Sequence, residues 1–329
     1  MKLVIKVANI TVNMTFLGQA IRAVPLCREY FRGFLCPAEI ADAEIKVSIL
    51  KSGNGFSPAD ARTGESNFEQ QLNKREVFAS LSESPEYQED FPENEATIAS
   101  SCLDGLLLFD PDTAAGRIYL SNEGPECFRP LHRLLWMYLA QVLGERKACF
   151  IHSAALVKDR IGYLFLGDSG AGKSTLSRIA EGAVVLSDDS PILSRQNGDY
   201  RVFSSPYHQM NPSKGLSKEA IRRSARVEGL FFLFKDERLY LEGVSREEAV
   251  SRILKRYILF FPYLSGRAKS ALFDLVLELC HRLTIHNLHF CLDQDVWGLI
   301  TSPHAGGKNE QFRKRGKRIT KGLRTTETL

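Results

Sequence analysis

Gly167-Asp-Ser-Gly-Ala-Gly-Lys-Ser174 is the stretch that decides how this 329-residue chain is read. Its eight residues match G-x-x-x-x-G-K-[ST] without a gap, and the flanks agree with the match. Tyr163-Leu-Phe-Leu166 reads as a buried strand leading in. Lys173 to Glu181, with Leu176, Ile179 and Ala180 at helical spacing, reads as a helix leading out, and Gly182 stands where a helix-ending glycine belongs. Glycines at 167, 170 and 172 let the backbone curl so that successive N–H groups converge on phosphate oxygens. The helix start adds its positive dipole end. Lys173 is expected at the β- and γ-phosphates, and the Ser174 hydroxyl in a Mg²⁺ shell otherwise made of water and phosphate. Asp168, Ser169, Ala171 and Thr175 complete a nucleotide-binding set running from Gly167 to Thr175. The expected ligands are ATP and Mg²⁺.

Downstream, Val184-Val-Leu-Ser-Asp188-Asp189 reads as an apolar strand ending in two carboxylates. A carboxylate at such a strand end commonly holds Mg²⁺. Neighbours on a strand point opposite ways, so the two cannot share one task. One can face the metal while the other reaches a substrate hydroxyl. The alternative is a pair capping the turn at Ser190-Pro191, since Asp favours turn starts.

Three pieces in this order resemble the C-terminal catalytic domain of HPr kinase/phosphorylase, of the phosphoenolpyruvate-carboxykinase-like P-loop fold. They are Ile151-His152 opening a strand, the loop at 167–174, and Ser187-Asp-Asp189. The resemblance is clear over about residues 149–195 and fades through 200–300. It implies that Asp189 is the general base toward an acceptor serine and that Asp188 lies near the metal. It places His152 against the phosphates or Asp189, and Lys173 on the γ-phosphate. Phosphoryl transfer is mainly positioning and charge neutralisation, which suits that division. Two departures stand out: Thr175 replaces a glutamate, and the Glu-Ile-Arg-Gly segment is absent, with Phe203 to Gly215 reading differently. They point to a divergent HPr-kinase-related kinase, some relatives of which act on serines of small peptides or carrier proteins. The implied partner is thus a protein or peptide serine acceptor. Related kinases assemble, so a homo-oligomer is also implied, with no interface legible. A P-loop ATPase and a nucleotide-sensing adaptor are the alternatives without an acceptor. In this fold an arginine often supplies positive charge to the transferring phosphoryl group; Arg226, Arg256 and Arg267 are the candidates.

The rest of the chain frames this site. Hydrophobic residues make up 44% and charged residues 25%, an ordinary globular composition that excludes disorder throughout. Seven cysteines, an odd number without a C-x-x-C pair, suit reduced thiols and a cytoplasmic protein. Tyr257 to Gly266, an uncharged apolar stretch, has ten residues, whereas a membrane span needs about twenty, so none is expected. The net charge of +4 hides a split, because residues 301–329 carry eight Lys/Arg against Glu310 and Glu327, leaving the body at −2. Nucleic acid is therefore not expected as a specific partner.

Alternation in Lys2 to Val7 and in Glu44 to Leu50 predicts strands, and Leu106 to Phe109 with Arg117 to Leu120 predicts a hairpin. Residues 51–67 and the acidic stretch 82–95 read as loops. Phe128, Leu131, Leu135, Tyr138 and Val142 predict a core-facing helix from Phe128 to Leu143 that bridges two domains. Cys149 to Val157 reads as one strand, Gly229 to Phe234 as a buried strand, and Leu288 to Leu292 as a late one. Ser245-Arg-Glu-Glu248 reads as a capping box opening a helix through Ile253 and Leu254. His281, His286, His289 and Cys291 fit no standard zinc spacing. The expectation is an α/β (α+β) chain: a β-rich domain over 1–125, a mixed-sheet P-loop kinase domain over 126–300, and a basic, disordered tail over 301–329.

Overall fold

The computed structural model describes residues 1–37, 40–49, 70–71, 98–102, 105–121, 125–179, 182–207, 223–291 and 295–301. The loops expected at 51–67 and 82–95, residues 180–181 of the helix, most of the divergent segment 203–215, Leu292 and the tail beyond 301 lie outside them.

The chain is mixed α/β, with two mixed sheets. The first contains β1 (Lys2–Val7), β2 (Ile10–Phe16), β3 (Ala43–Ile49), β4 (Gln70–Gln71), β5 (Ile98–Cys102), β6 (Gly105–Asp110) and β7 (Ala115–Leu120) in the order β1-β2-β3-β7-β6-β5-β4. Alternation explains it: Leu3, Ile5, Val7, Val12, Met14, Phe16, Ile45 and Val47 are all buried. Strand β2 was not expected. Thr11 and Asn13 interrupt its apolar run, as Asn9 does just before it, but Ile10, Val12, Met14 and Phe16 keep the period of two. The predicted hairpin is present, with Asp110 opposite Ala115.

The second sheet contains β8 (Ala148–Phe150), β9 (Ser153–Lys158), β10 (Ile161–Leu166), β11 (Val184–Ser187), β12 (Ile192–Gln196), β13 (Asp199–Phe203), β14 (Ser224–Lys235), β15 (Tyr240–Gly243) and β16 (Ile285–Phe290). Its path is β11-β9-β10-β14-β13-β12-β8, and β16 and then β15 lie along the second half of β14. Strand β9 is antiparallel to both β10 and β11, while β14 is parallel to β10 and β16 is parallel to β14. The ends of β10, β11, β14 and β16 therefore share one edge of the sheet.

The single strand expected from Cys149 to Val157 is two. Strand β8 pairs with β12 and strand β9 with β10 and β11. The break falls at Ile151-His152, where Ile151 bridges Ile258 and the His152 N–H donates to the Tyr257 carbonyl at 2.7 Å. No glycine or proline marks the spot. The helix opened by Ser245 also departs from expectation. Ser245 caps it by accepting from the Glu248 N–H, but from Ile253 the turns widen into a π-helix, Ile253–Tyr257.

The helices are α1 (Val24–Tyr30), α2 (Phe128–Gly144), α3 (Lys173–Ile179), α4 (Arg246–Arg252), α5 (Gly266–Arg282) and α6 (Val296–Ile300). Helix α2 is buried on nearly every side rather than along one stripe, because Leu131, Leu134, Met137, Tyr138, Ala140 and Val142 all lie within a hydrophobic cluster that includes residues of both sheets. Gly116 makes room for it: a Cβ there would lie 2.6 Å from the Tyr138 ring, whose hydroxyl donates to the Ala114 carbonyl at 2.9 Å. Trp297 of α6 closes a second cluster with Tyr163, Phe165 and Leu176 on the other face of the second sheet. No helix among the described residues is long and apolar enough to cross a membrane.

Gln141 on α2 is 2% exposed and joins helix to loop: its amide donates to the Tyr263 carbonyl at 2.8 Å and its oxygen accepts from the Ser265 N–H at 3.1 Å. Gln141→Leu leaves both backbone groups without that partner. The expected loss is roughly 2–4 kcal/mol, read as a lower urea midpoint at unchanged slope.

Candidate nucleotide-binding site

Residues 167–172 form the turn between β10 and α3. Gly170 and Gly172 have φ of +82° and +109°, conformations that side-chain-bearing residues rarely adopt. A Cβ at Gly172 would also lie 2.7 Å from the Phe290 ring, and one at Gly167 would lie 2.6 Å from the Ala171 Cβ. The loop closes through the Ala171 N–H donating to the Asp168 carbonyl at 3.0 Å, and α3 starts with the Leu176 N–H donating to the Gly172 carbonyl at 2.8 Å. Gly182 has φ of +70°, as a helix-ending glycine would.

Lys173 turns back over this loop and is 8% exposed. Its ammonium donates to the Gly167 carbonyl at 2.5 Å and the Asp168 carbonyl at 3.4 Å, and lies 3.0 Å from His152 Nε2. An ammonium has donors only, so Nε2 accepts and the imidazole proton is on Nδ1. That nitrogen is 3.2 Å from Asp189 Oδ1. Ser190 Oγ donates to the other oxygen, Oδ2, at 2.9 Å. The four side chains thus form one line: Lys173, His152, Asp189, Ser190.

The backbone holds this line in place. The Ser153 N–H donates to the Asp189 carbonyl and the Ile151 N–H to the Pro191 carbonyl, each at 3.0 Å. Ser187 Oγ accepts from the N–H groups of Asp189 and Ser190 at 3.3 and 3.1 Å. Ser187 rather than either carboxylate therefore caps the turn, contrary to the capping alternative for the pair, and the Asp189 carboxylate points at His152.

Burial pulls the two charged ends in opposite ways. It lowers the Lys173 ammonium below its ordinary value, against the nearby charges of Asp189 and Asp168. Burial by itself would raise the Asp189 carboxyl, but hydrogen bonds from His152 and Ser190, with the nearby positive charge of Lys173, carry it below the usual carboxylate range.

The other expected residues spread around this line. Asp188 is half-buried, and its carboxylate has no hydrogen bond or ion pair among the described residues. Ser169, Ser174 and Thr175 lie on the loop and the first turn of α3, and the Ser174 hydroxyl is likewise without a hydrogen bond there. Among the described residues no group of three His, Cys, Asp or Glu forms a metal cluster. One hydroxyl and one carboxylate suit Mg²⁺, which keeps several waters and takes the rest of its shell from phosphate. His289 pairs with Asp236 at 3.2 Å and does not join His286, which faces the other side of β16.

The three candidate arginines part company. Arg256, on the π-helix, lies 3.2 Å from Asp168 of the loop. Arg226 is on the first part of β14 beside Glu228, level with the start of β10 and so away from the loop. Arg267 joins Glu145, Asp112 and the Pro111 carbonyl. Sequence reasoning missed Ser190 and Ser187 as polar supports, although Ser-Asp-Asp-Ser at 187–190 is a visible turn signal.

No protein-family model matches the chain, and no curated protein matches it. Among solved structures it is similar to the HPr(Ser) kinase/phosphatase from Coxiella burnetii, with 21% identity, 40% of this chain and 88% of that one covered, and a TM-score of 0.23. A score that low does not establish a shared fold.

A carboxyl that titrates below its unfolded value of about 3.9 stabilises fully above that value and loses the contribution as pH falls through the folded one. Asp189→Asn is therefore expected to be less stable than wild type at neutral pH, and the gap to close as pH drops below about 4. Urea unfolding across that range measures it. A gap that stays constant would contradict the depressed carboxyl.

Proposed function

We propose that the chain is an ATP-dependent serine kinase related to HPr kinase, with its catalytic unit over residues 126–300 in the phosphoenolpyruvate-carboxykinase-like P-loop arrangement. The observation that carries this reading is the side-chain line from Lys173 through His152 to Asp189, which joins a phosphate-binding loop to a carboxylate at the end of a neighbouring strand. A nucleotide-binding loop alone would suit hydrolysis or sensing equally well. A loop lysine connected to an ionised, fixed carboxylate suits transfer to a hydroxyl.

In this reading the loop N–H groups and Lys173 hold the phosphates, and Arg256 leaves Asp168 to neutralise the transferring group. Ser174 and Asp188 would hold Mg²⁺, which would supply charge neutralisation on the phosphates. Asp189 orients the acceptor serine and takes its proton as the new O–P bond forms and the bond to the diphosphate leaving group breaks. A carboxylate held below its usual range is a weak base, which is enough. In a loose transition state the nucleophile needs orientation more than early deprotonation. His152 keeps Asp189 aimed. The acceptor is a serine of a protein or peptide.

The test is transfer of labelled γ-phosphate to cell-extract proteins. Asp189→Asn is expected to abolish transfer while ATP affinity survives, and Lys173→Ala to lose both. Arg256→Ala is expected to lower the transfer rate by about 10³-fold or more, as for other phosphoryl-transfer arginines, with little change in ATP affinity. Transfer unchanged in Asp189→Asn would overturn the mechanism.

A further inference from the structure

The end of β14 departs from its expected burial. Phe234 closes the run read as a buried strand, yet it is 39% exposed, and Tyr240 on β15 is 40% exposed. Both face His289, which stands opposite Phe234 in one register and opposite Tyr240 in the other. The rings are stacked in a row: Phe234 to His289 has centroids 5.2 Å apart at 16°, and His289 to Tyr240 has 4.2 Å at 7°. Such exposed, aligned aromatic rings on a strand end have an apolar cost and no core to fill.

Polar groups lock the row in place. Asp236 accepts from the Tyr240 hydroxyl and from the Arg238 N–H, and lies against His289 Nδ1, each at 3.2 Å. Glu242 lies 3.5 Å from His289 Nε2 and accepts from the Asn287 amide at 2.9 Å. The Asp236 contact at Nδ1 and the rings on either side hold the imidazole in its orientation, so the ladder is preformed. Arg252 reaches the same face. Its guanidinium lies 3.8 Å from the Phe232 ring centroid and 5.5 Å from that of Phe234, and donates to the Asn287 side chain at 2.9 Å.

Position supplies the rest. Strands β10, β14 and β16 end at one edge, and ligands of open α/β sheets bind outside the carboxyl ends of the strands. Neighbouring strands are about 4.8 Å apart, so β16 lies only about 10 Å from the strand that feeds the phosphate-binding loop. Phe290, the next residue on β16, points to the opposite face and packs against Gly172 of that loop, which shows how near the end of β16 lies to the loop. Arg252 and Arg256 belong to one helical segment, and Arg256 contacts the loop through Asp168.

We propose that the Phe234–His289–Tyr240 ladder is the seat of the nucleotide's purine base, with the phosphates in the loop at 167–174. This rests on the nucleotide-binding reading above. Purines offer a flat π-face for Phe234 or Tyr240, and amine and ribose hydroxyl donors for the carboxylates of Asp236 and Glu242. An acidic, aromatic rim suits a base and its sugar and would repel a second anion, so the triphosphate has one place to go.

Calorimetric titration of the full chain with ATP and with inorganic tripolyphosphate separates base from phosphate. Wild type is expected to bind ATP more tightly than tripolyphosphate. Phe234→Ala and Tyr240→Ala are each expected to weaken ATP by about tenfold or more while leaving tripolyphosphate unchanged. In Tyr240→Trp, which keeps an aromatic ring, ATP should quench the indole emission and tripolyphosphate should not. Equal wild-type affinity for the two ligands overturns the base seat and leaves the phosphate site standing. So does ATP affinity that survives both alanine changes; if acceptor phosphorylation then falls, the rings belong to the acceptor. Binding of neither ligand overturns the nucleotide reading itself, and this proposal with it.

Discussion

Strand β9 runs antiparallel between β10 and β11, and the site depends on that one arrangement. Leu166 is opposite Ser153, and Ser187 is opposite Ala155. The residue before β9 is therefore forced between the residues that follow β10 and β11. His152 comes to lie beside Gly167 on one side and Asp189 on the other, with no further choice to be made by its side chain. A one-residue slip in either pairing would turn every side chain of β9 to the opposite face. It would also put Ala154 and Leu156, which pack the second cluster, on the wrong side of the sheet. Ala155 and Val157 pack the first cluster from the opposite face, so the fit of both faces together is what fixes the polar line.

The same construction explains how opposite charges coexist there at little cost. An isolated buried ammonium or carboxylate is expensive. Here Lys173 has three acceptors for its three protons, and each Asp189 oxygen has a donor. His152 stands between them as a neutral relay, so the two ions are joined without touching. Had they formed a direct ion pair, a ligand would have had to break it. With an imidazole between them, either end can move alone.

Much of this was legible in the sequence because the loop motif joins local conformation to chemistry. The glycines at 170 and 172 are required by their positive φ, and the strand and helix flanks follow from apolar spacing. The hairpin at 105–120 and the helix at 128–144 were legible for similar reasons. What was hidden depends on contacts remote in sequence. The break at Ile151-His152 exists because Ile258 and Tyr257 meet it from more than a hundred residues away, and nothing local signals it. Helix α2 looked one-sided because Leu134, Met137 and Ala140 on its other flank could equally have faced solvent; two sheets cover both sides. Phe234 looked buried because its neighbours are. Among the three arginines, only the π-helix at Ile253–Tyr257 singles out Arg256, and the widened turn leaves no mark in the local pattern.

That π-helix connects the two halves of the site. Its last carbonyl receives the His152 N–H, and its Arg256 holds Asp168 of the loop, so one irregular turn touches both the relay and the phosphate cradle. Wide turns of this kind recur at functional sites because they place a side chain where a regular helix could not. In the structure the positive groups are held by what the protein itself offers: Arg256 by an exposed carboxylate, Lys173 by two carbonyls and an imidazole. A polyanion offers both of them a stronger partner in one object. Arg256, whose exposed ion pair with Asp168 contributes little, is the cheaper of the two to move. Lys173 gives up only neutral acceptors, and its departure leaves His152 Nε2 open while Nδ1 still holds Asp189. The proposed chemistry then needs no large rearrangement of the sheet, only the exchange of partners at two side chains that the fold has already placed on either side of the loop.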